Sequence, residues 1–138
     1  NMFYNVEARK LSGAGHTDIE CLYITKKKKF AVEAKSTANK LLGINTSRLK
    51  EHRKEIGAKY TIIITPRYVP AAKRDISETD NVIILANTFA EYLFNCISND
   101  IREIDYGEFD DIIINNLGKD ISSQISNLSI KEFGISNK

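Results

Sequence analysis

The sequence lacks a strong excess of either charge: 20 Lys plus Arg stand against 18 Asp plus Glu, a formal net charge of +2. That is well short of the basic balance that by itself marks a nucleic-acid binder, so charge leaves the partner open. Cysteine is scarce. Cys21 and Cys96 each sit in an apolar run and show no C-x-x-C spacing, which argues against a disulfide framework or a zinc site. They read as reduced, buried thiols and suggest a cytoplasmic setting. No stretch approaches the roughly 18 consecutive apolar residues of a membrane span, and the N-terminus lacks the charged-then-apolar pattern of a signal peptide. No membrane partner is expected. There is no internal repeat, and no helix-turn-helix or zinc-finger pattern that would read bases. Gly13 and Gly15 are followed by neither Gly-Lys-Ser/Thr nor a helix, so they do not make a phosphate-cradling loop.

What is present is enough apolar material for one core: 138 residues, 42% of them hydrophobic. A single domain spanning 1–138 follows. Because the chain opens at Asn1 and enters strand-like sequence almost at once, a fragment of a longer protein is expected. Phe3 to Leu11 has β character and runs into Ser12-Gly13-Ala14-Gly15-His16. Thr17 to Thr25 reads as a strand, Lys26 to Lys29 as a basic turn, and Phe30 to Lys35 as a second, alternating strand. From Ser47 the pattern is helical, with Asn45, Thr46 or Ser47 as N-cap and Gly57 as C-cap. Tyr60–Thr65 and Val82–Ala86 are nearly continuous apolar runs, which predicts strands covered on both faces and paired in parallel. Thr88 and Glu91 match a capping box, predicting a helix over about Phe89 to Ser98. Two further helices, Glu108 to Leu117 and Asp120 to Leu128, place Ile113, Ile114, Leu117, Ile121 and Ile125 in the core. The order predicts an α/β fold, a mixed sheet flanked by helices.

Residues two apart on a strand share a face. Phe30, Val32 and Ala34 therefore form one face, which reads as core, while Ala31, Glu33 and Lys35 share the other and point outward. Asp18 and Glu20 share a face of the preceding strand. A hairpin across the lysine turn brings Asp18 to Glu33. Two converging carboxylates with a backbone carbonyl such as that of Ala34 make an oxygen-rich, partly open site of the kind Mg²⁺ favours, with Mn²⁺ as a substitute. A metal there lowers the pKa of a bound water and polarises a phosphodiester oxygen; Lys35 orients the water and stabilises developing charge.

Asp18, followed fifteen positions later by Glu33-Ala34-Lys35, resembles the signature of the PD-(D/E)xK nuclease superfamily. The surrounding Gly15-His16-Thr17-Asp18-Ile19 and Val32-Glu33-Ala34-Lys35-Ser36 are similar to the cleavage domains of type II restriction endonucleases of the FokI and AlwI kind, over roughly Gly13 to Leu93. The resemblance implies a restriction-endonuclease-like fold, metal binding by Asp18 and Glu33, and assistance to the water by Lys35. The substrate it implies is double-stranded DNA. Thr17 stands where the family pattern has proline. Many members add an acidic residue from an upstream helix, which is not seen in this chain, and whether Glu7 or Glu20 joins the site stays open. Lys26, Lys27, Lys28 and Lys29 on the turn, and Arg48, His52 and Arg53 on the basic helix, are candidate DNA contacts. One metal site cuts one strand at a time, so a homodimer or transient dimer is expected, with site choice in a separate recognition segment.

Two other readings stay open. A structure-selective or repair nuclease would carry the same active site. A non-catalytic DNA-binding module would leave Glu33 and Lys35 as a solvated strand face, where an ion pair is worth at most about 1 kcal/mol.

Overall fold

A computed structural model of the chain describes residues 2–11, 18–35 and 40–134. Five strands lie side by side in chain order: β1 (Val6–Lys10), β2 (Ile19–Tyr23), β3 (Lys28–Ala34), β4 (Ala58–Thr65) and β5 (Asn81–Leu85). The first three are antiparallel neighbours; β4 and β5 then add in parallel to β3. Parallel pairing needs crossovers. α1 (Thr46–Ile56) provides one and α2 (Pro70–Asp75) the other. After β5 come α3 (Ala86–Ser98), α4 (Gly107–Ile114) and α5 (Ser122–Ser129), closed by a short π-helical turn, Ile130–Gly134. The result is the mixed, helix-flanked α/β sheet that the sequence order predicts.

The unbroken apolar runs have the expected cause. Ile62, Val82 and Ile84 pack into one core with Tyr92, Phe109, Ile113, Ile121 and Ile125 from α3, α4 and the segment leading into and through α5. Ile63 and Ile83, one residue over, point to the opposite face and pack with Leu49 of α1 and Ile76 beyond α2. Alternate residues thus enter two separate cores. The edge strand β1 is exposed from Glu7 to Lys10, and its charges discourage pairing with another chain.

Local signals behave unevenly. Asn45 is the N-cap of α1, its side chain accepting from the Arg48 N–H at 3.1 Å, and Gly57 closes the helix at φ 72°. The lysine turn is shorter than the four lysines: Ile24–Lys26 form a 3₁₀ turn, Lys27 takes a left-handed φ of 51°, and Lys28 and Lys29 already belong to β3. The capping box at Thr88 and Glu91 is overridden, because α3 starts at Ala86, directly off the end of β5, and both residues lie inside the helix. Ile114 is not core but 43% exposed, while Ile113, Ile121 and Ile125 are fully buried. Cys21 and Cys96 are buried and free. Among the described residues, no helix is long and apolar enough to cross a membrane. Gly13, Gly15, His16, Thr17 and Ser36 lie outside the described residues.

Candidate active site

The β2–β3 pairing runs Tyr23↔Lys28 to Ile19↔Val32, and the same register one step further sets Asp18 opposite Glu33. Opposite residues of an antiparallel pair point to the same face. Asp18 reaches across: its Oδ2 accepts the Ala34 N–H at 2.8 Å, which pins the carboxylate at the end of β3. The Lys35 N–H donates to the Ile64 carbonyl at 2.8 Å, so β4 holds the backbone on the other side of the triplet. Asp18, Glu33, Ala34 and Lys35 are therefore gathered at the carboxyl end of β3, by strand pairing and by the Asp18 side chain.

Glu33 does not point into solvent as the strand pattern suggests. It is only 3% exposed, because α1 crosses this face of the sheet. Burial and the neighbouring Asp18 carboxylate raise its pKa above the usual 4.5; Lys35, Arg48 and His52 act in the opposite direction. Asp18 itself is exposed and Lys35 is half-buried. Glu33 and Lys35 line a cleft of about 200 Å³ with Asn45, Arg48 and Leu49. Glu33 is thus a buried acid of raised pKa at a cleft, beside a second carboxylate, Lys35 and Arg48, rather than one half of a surface ion pair.

The helix α1 is more deeply used than its charge pattern implies. Arg48 lines the cleft and is exposed, as a DNA-facing residue would be. Arg53 is not on the basic outer face: it is buried, its Nη1 donating to Thr61 Oγ1 at 3.0 Å and to Asn81 Oδ1 at 2.7 Å. His52 is buried too, with no partner for its Nδ1 among the described residues. With only Leu49 and Ile56 as large apolar residues, α1 completes its packing face with these two polar side chains. Neither can lie along a DNA backbone from inside the protein.

The lysine turn stands at the opposite end of the hairpin from Asp18 and Glu33. Lys28 is five residues from Glu33, about 17 Å along an extended strand. Its ammonium is held by the fully buried Asp110, at 3.1 Å from Oδ1 and 2.8 Å from Oδ2, and is no free phosphate contact. Lys26 lies 3.8 Å from the same carboxylate. Lys27 and Lys29 are exposed. Of the two further acids, Glu20 is ion-paired with Arg9 at 2.9 Å, and Glu7 lies across from Leu22, remote from Asp18. Among the described residues no three His, Cys, Asp or Glu side chains converge as a metal site, so Asp18 and Glu33 stand as a pair.

No protein-family model matches the chain, and no solved structure does. The chain is similar to the type II restriction enzyme HgaI of Avibacterium volantium, 57% identical over 134 residues. The match takes in 97% of the chain but spans only 28% of that enzyme's length. Nearly the whole chain is thus similar in sequence to one segment of a type II restriction enzyme.

Proposed function

We propose that this chain is the DNA-cleaving domain of a type II restriction endonuclease of the PD-(D/E)xK superfamily, hydrolysing phosphodiester bonds of double-stranded DNA with a divalent metal. The observation that carries the reading is the β2–β3 register, which sets Asp18 beside a buried Glu33 of raised pKa with Lys35 on the same cleft. Similarity to a restriction enzyme over the same residues supports it.

The residues suit Mg²⁺, or Mn²⁺ in its place. Two carboxylates that repel each other, with the Ala34 carbonyl beside them, are hard oxygen donors whose excess charge a dication neutralises. Bound there, the metal would supply Lewis-acid polarisation of a phosphate oxygen and a lowered pKa for bound water. The chain's own part is positional. Asp18 and Glu33 hold the donor oxygens, Asp18 with one oxygen anchored on the Ala34 N–H. Lys35 brings positive charge to the attacking water and to the charge that builds on the phosphate. Arg48, exposed at the cleft, aligns the phosphate. Two such sites, in a homodimer or a transient dimer, cut the two strands, and site choice lies with a recognition segment outside this fold.

The test is plasmid cleavage in Mg²⁺, Mn²⁺, Ca²⁺ and EDTA. Mg²⁺ and Mn²⁺ should support cutting, Ca²⁺ should bind without good turnover, and EDTA should stop the reaction. Asp18→Asn and Lys35→Ala should each abolish cleavage with the fold intact. Full activity in EDTA, or native rates in either variant, would remove this active site.

A further inference from the structure

Beyond the cleft, the same end of the sheet carries a second cationic feature. β3, β4 and β5 are parallel, with Ala34↔Ile64↔Ile84 in register, so their carboxyl ends are level. At the ends of β4 and β5 lies an open groove of about 690 Å³ lined by Lys40, Arg67 and Lys73, with Tyr68, Leu85 and Asn87. Among the described residues, no carboxylate lines it. Three cations in one groove are conspicuous in a chain whose net charge is only +2. Lys40 and Lys73 are exposed and, among the described residues, form no ion pair, in contrast to Lys28 and Arg53.

The groove adjoins the active-site cleft. Lys40 lines the one and Leu41 the other, and Leu41 is bridged to Tyr68 at the boundary. Its walls are held in place: the Leu41 N–H donates to the Arg67 carbonyl and the Val69 N–H to the Leu41 carbonyl, both at 3.0 Å. Thr65 Oγ1 also donates to the Arg67 carbonyl at 3.0 Å, and the Tyr68 hydroxyl is hydrogen-bonded to Asp120. From the end of β3 to the end of β5 is two strand spacings, about 10 Å. A polyanion lying along the cleft toward the ends of β4 and β5 would meet this groove.

We propose that the Lys40–Arg67–Lys73 groove is a phosphate-backbone subsite that grips the DNA beside the bond being cut. This rests on the DNA-cleavage reading for its ligand. Phosphate contacts of this kind hold the duplex in position without reading sequence, and each one contributes a counterion-release term to binding.

The test is the Lys40→Ala/Lys73→Ala double variant, with Lys40→Arg/Lys73→Arg as the conservative control. Binding to a fluorescein-labelled duplex is titrated in EDTA at several salt concentrations, and cleavage is measured in Mg²⁺. The slope of log affinity against log salt should fall by about 1.8, or 0.9 for each lysine–phosphate interaction removed. The loss of kcat/KM should appear mainly in KM, and the arginine variant should restore both. Both lysines are exposed, so thermal unfolding should match the unsubstituted protein. An unchanged slope and affinity in a folded double variant would overturn the subsite, as would a loss confined to kcat. If the unsubstituted protein cuts nothing, the nuclease reading fails, while the binding arm still reports on the groove.

Discussion

At its turn end the β2–β3 hairpin brings unlike charges together: Lys28 Nζ sits 2.8 Å from Asp110 Oδ2, and Tyr60 donates to Asp110 Oδ1 at 2.8 Å. Tyr106 joins through a 2.8 Å hydroxyl contact with Tyr60. At its open end the same hairpin brings like charges together, Asp18 beside the buried Glu33. One end satisfies its charges internally; the other holds a carboxylate whose pKa stays raised, by burial first and by Asp18 second, against the opposing pull of Lys35, Arg48 and His52. Each end holds one buried carboxylate, Asp110 at the turn and Glu33 at the open end, and the difference between them is that between a structural network and the site proposed above.

The sharpest way to break this contrast is Glu33→Gln. Cleavage should fall by about 10³-fold, comparable to removing a group that stabilises transition-state charge. Magnesium should no longer raise the melting temperature. In EDTA near pH 7 the variant should nevertheless be at least as stable as the unsubstituted protein. Glu33 has a folded-state pKa raised above 4.5 by burial and by Asp18, so its favourable contribution is complete only below its unfolded pKa. That contribution is lost as pH rises through the raised folded value. The stability gap in favour of the glutamine variant should therefore open as pH climbs out of the acid range, which urea melts of both proteins across pH in EDTA would show. A variant less stable at pH 7 than at pH 4, relative to the unsubstituted protein, would mean that the carboxylate is structurally satisfied.

The sequence carries the hairpin but neither its exact register nor its surroundings. Four lysines taken as the turn would pair Thr25 with Phe30 and carry Asp18 past Lys35; the turn instead falls at Ile24–Lys27, and that shift sets Asp18 opposite Glu33. The parallel strands were legible because Tyr60–Thr65 and Val82–Ala86 are nearly continuous apolar runs, with side chains for both faces. The burial of Glu33 was not, since it depends on where α1 crosses the sheet. For the same reason Arg53 and His52 read as solvated: on a helix with few apolar residues, which polar side chains turn inward depends on partners such as Thr61 and Asn81 elsewhere in the chain. Asp110 hid in the same way, as an acidic residue in the first turn of a helix whose Lys28 and Tyr60 partners are 82 and 50 residues away. The capping box at Thr88 failed because local capping adds nothing where a strand runs straight into a helix.

At the satisfied end the expected effects fall on stability alone. Asp110→Ala leaves Lys28 half-buried and unpaired and Tyr60 without its acceptor, and breaking a buried pair from one side costs about 3–5 kcal/mol. Urea melts should show that loss, while protein still folded at low temperature should retain its cleavage rate. Tyr60→Phe is the milder break. Burial, together with Tyr106 and Asp110, holds the Tyr60 phenol far above its ordinary pKa, so it is a donor at any accessible pH. Removing that donor should cost about 1–3 kcal/mol and leave cutting unchanged. A large catalytic loss in either folded variant would mean that the two ends of the hairpin are coupled.

The smallest expected effect tests whether the lysine turn belongs to function at all. Lys27 closes the 3₁₀ turn with a left-handed φ of 51°, a conformation that costs a side-chain-bearing residue about 1–2 kcal/mol and glycine almost nothing. Lys27→Gly should relieve that strain, but glycine also gains entropy in the unfolded chain, which takes back about half of the benefit. A net gain of up to about 1 kcal/mol is expected from urea melts. The substitution also removes one exposed charge from the end of the hairpin that lies about 17 Å from the carboxylates along the strand. If the turn serves only to set the register and seat Lys28 on Asp110, DNA affinity, its salt dependence and the cleavage rate should all stay as they are. A slope of log affinity against log salt that falls by about 0.9 in Lys27→Gly would show a phosphate contact at the turn, and would extend the DNA footprint to the end of the hairpin that the ion-paired network otherwise assigns to structure.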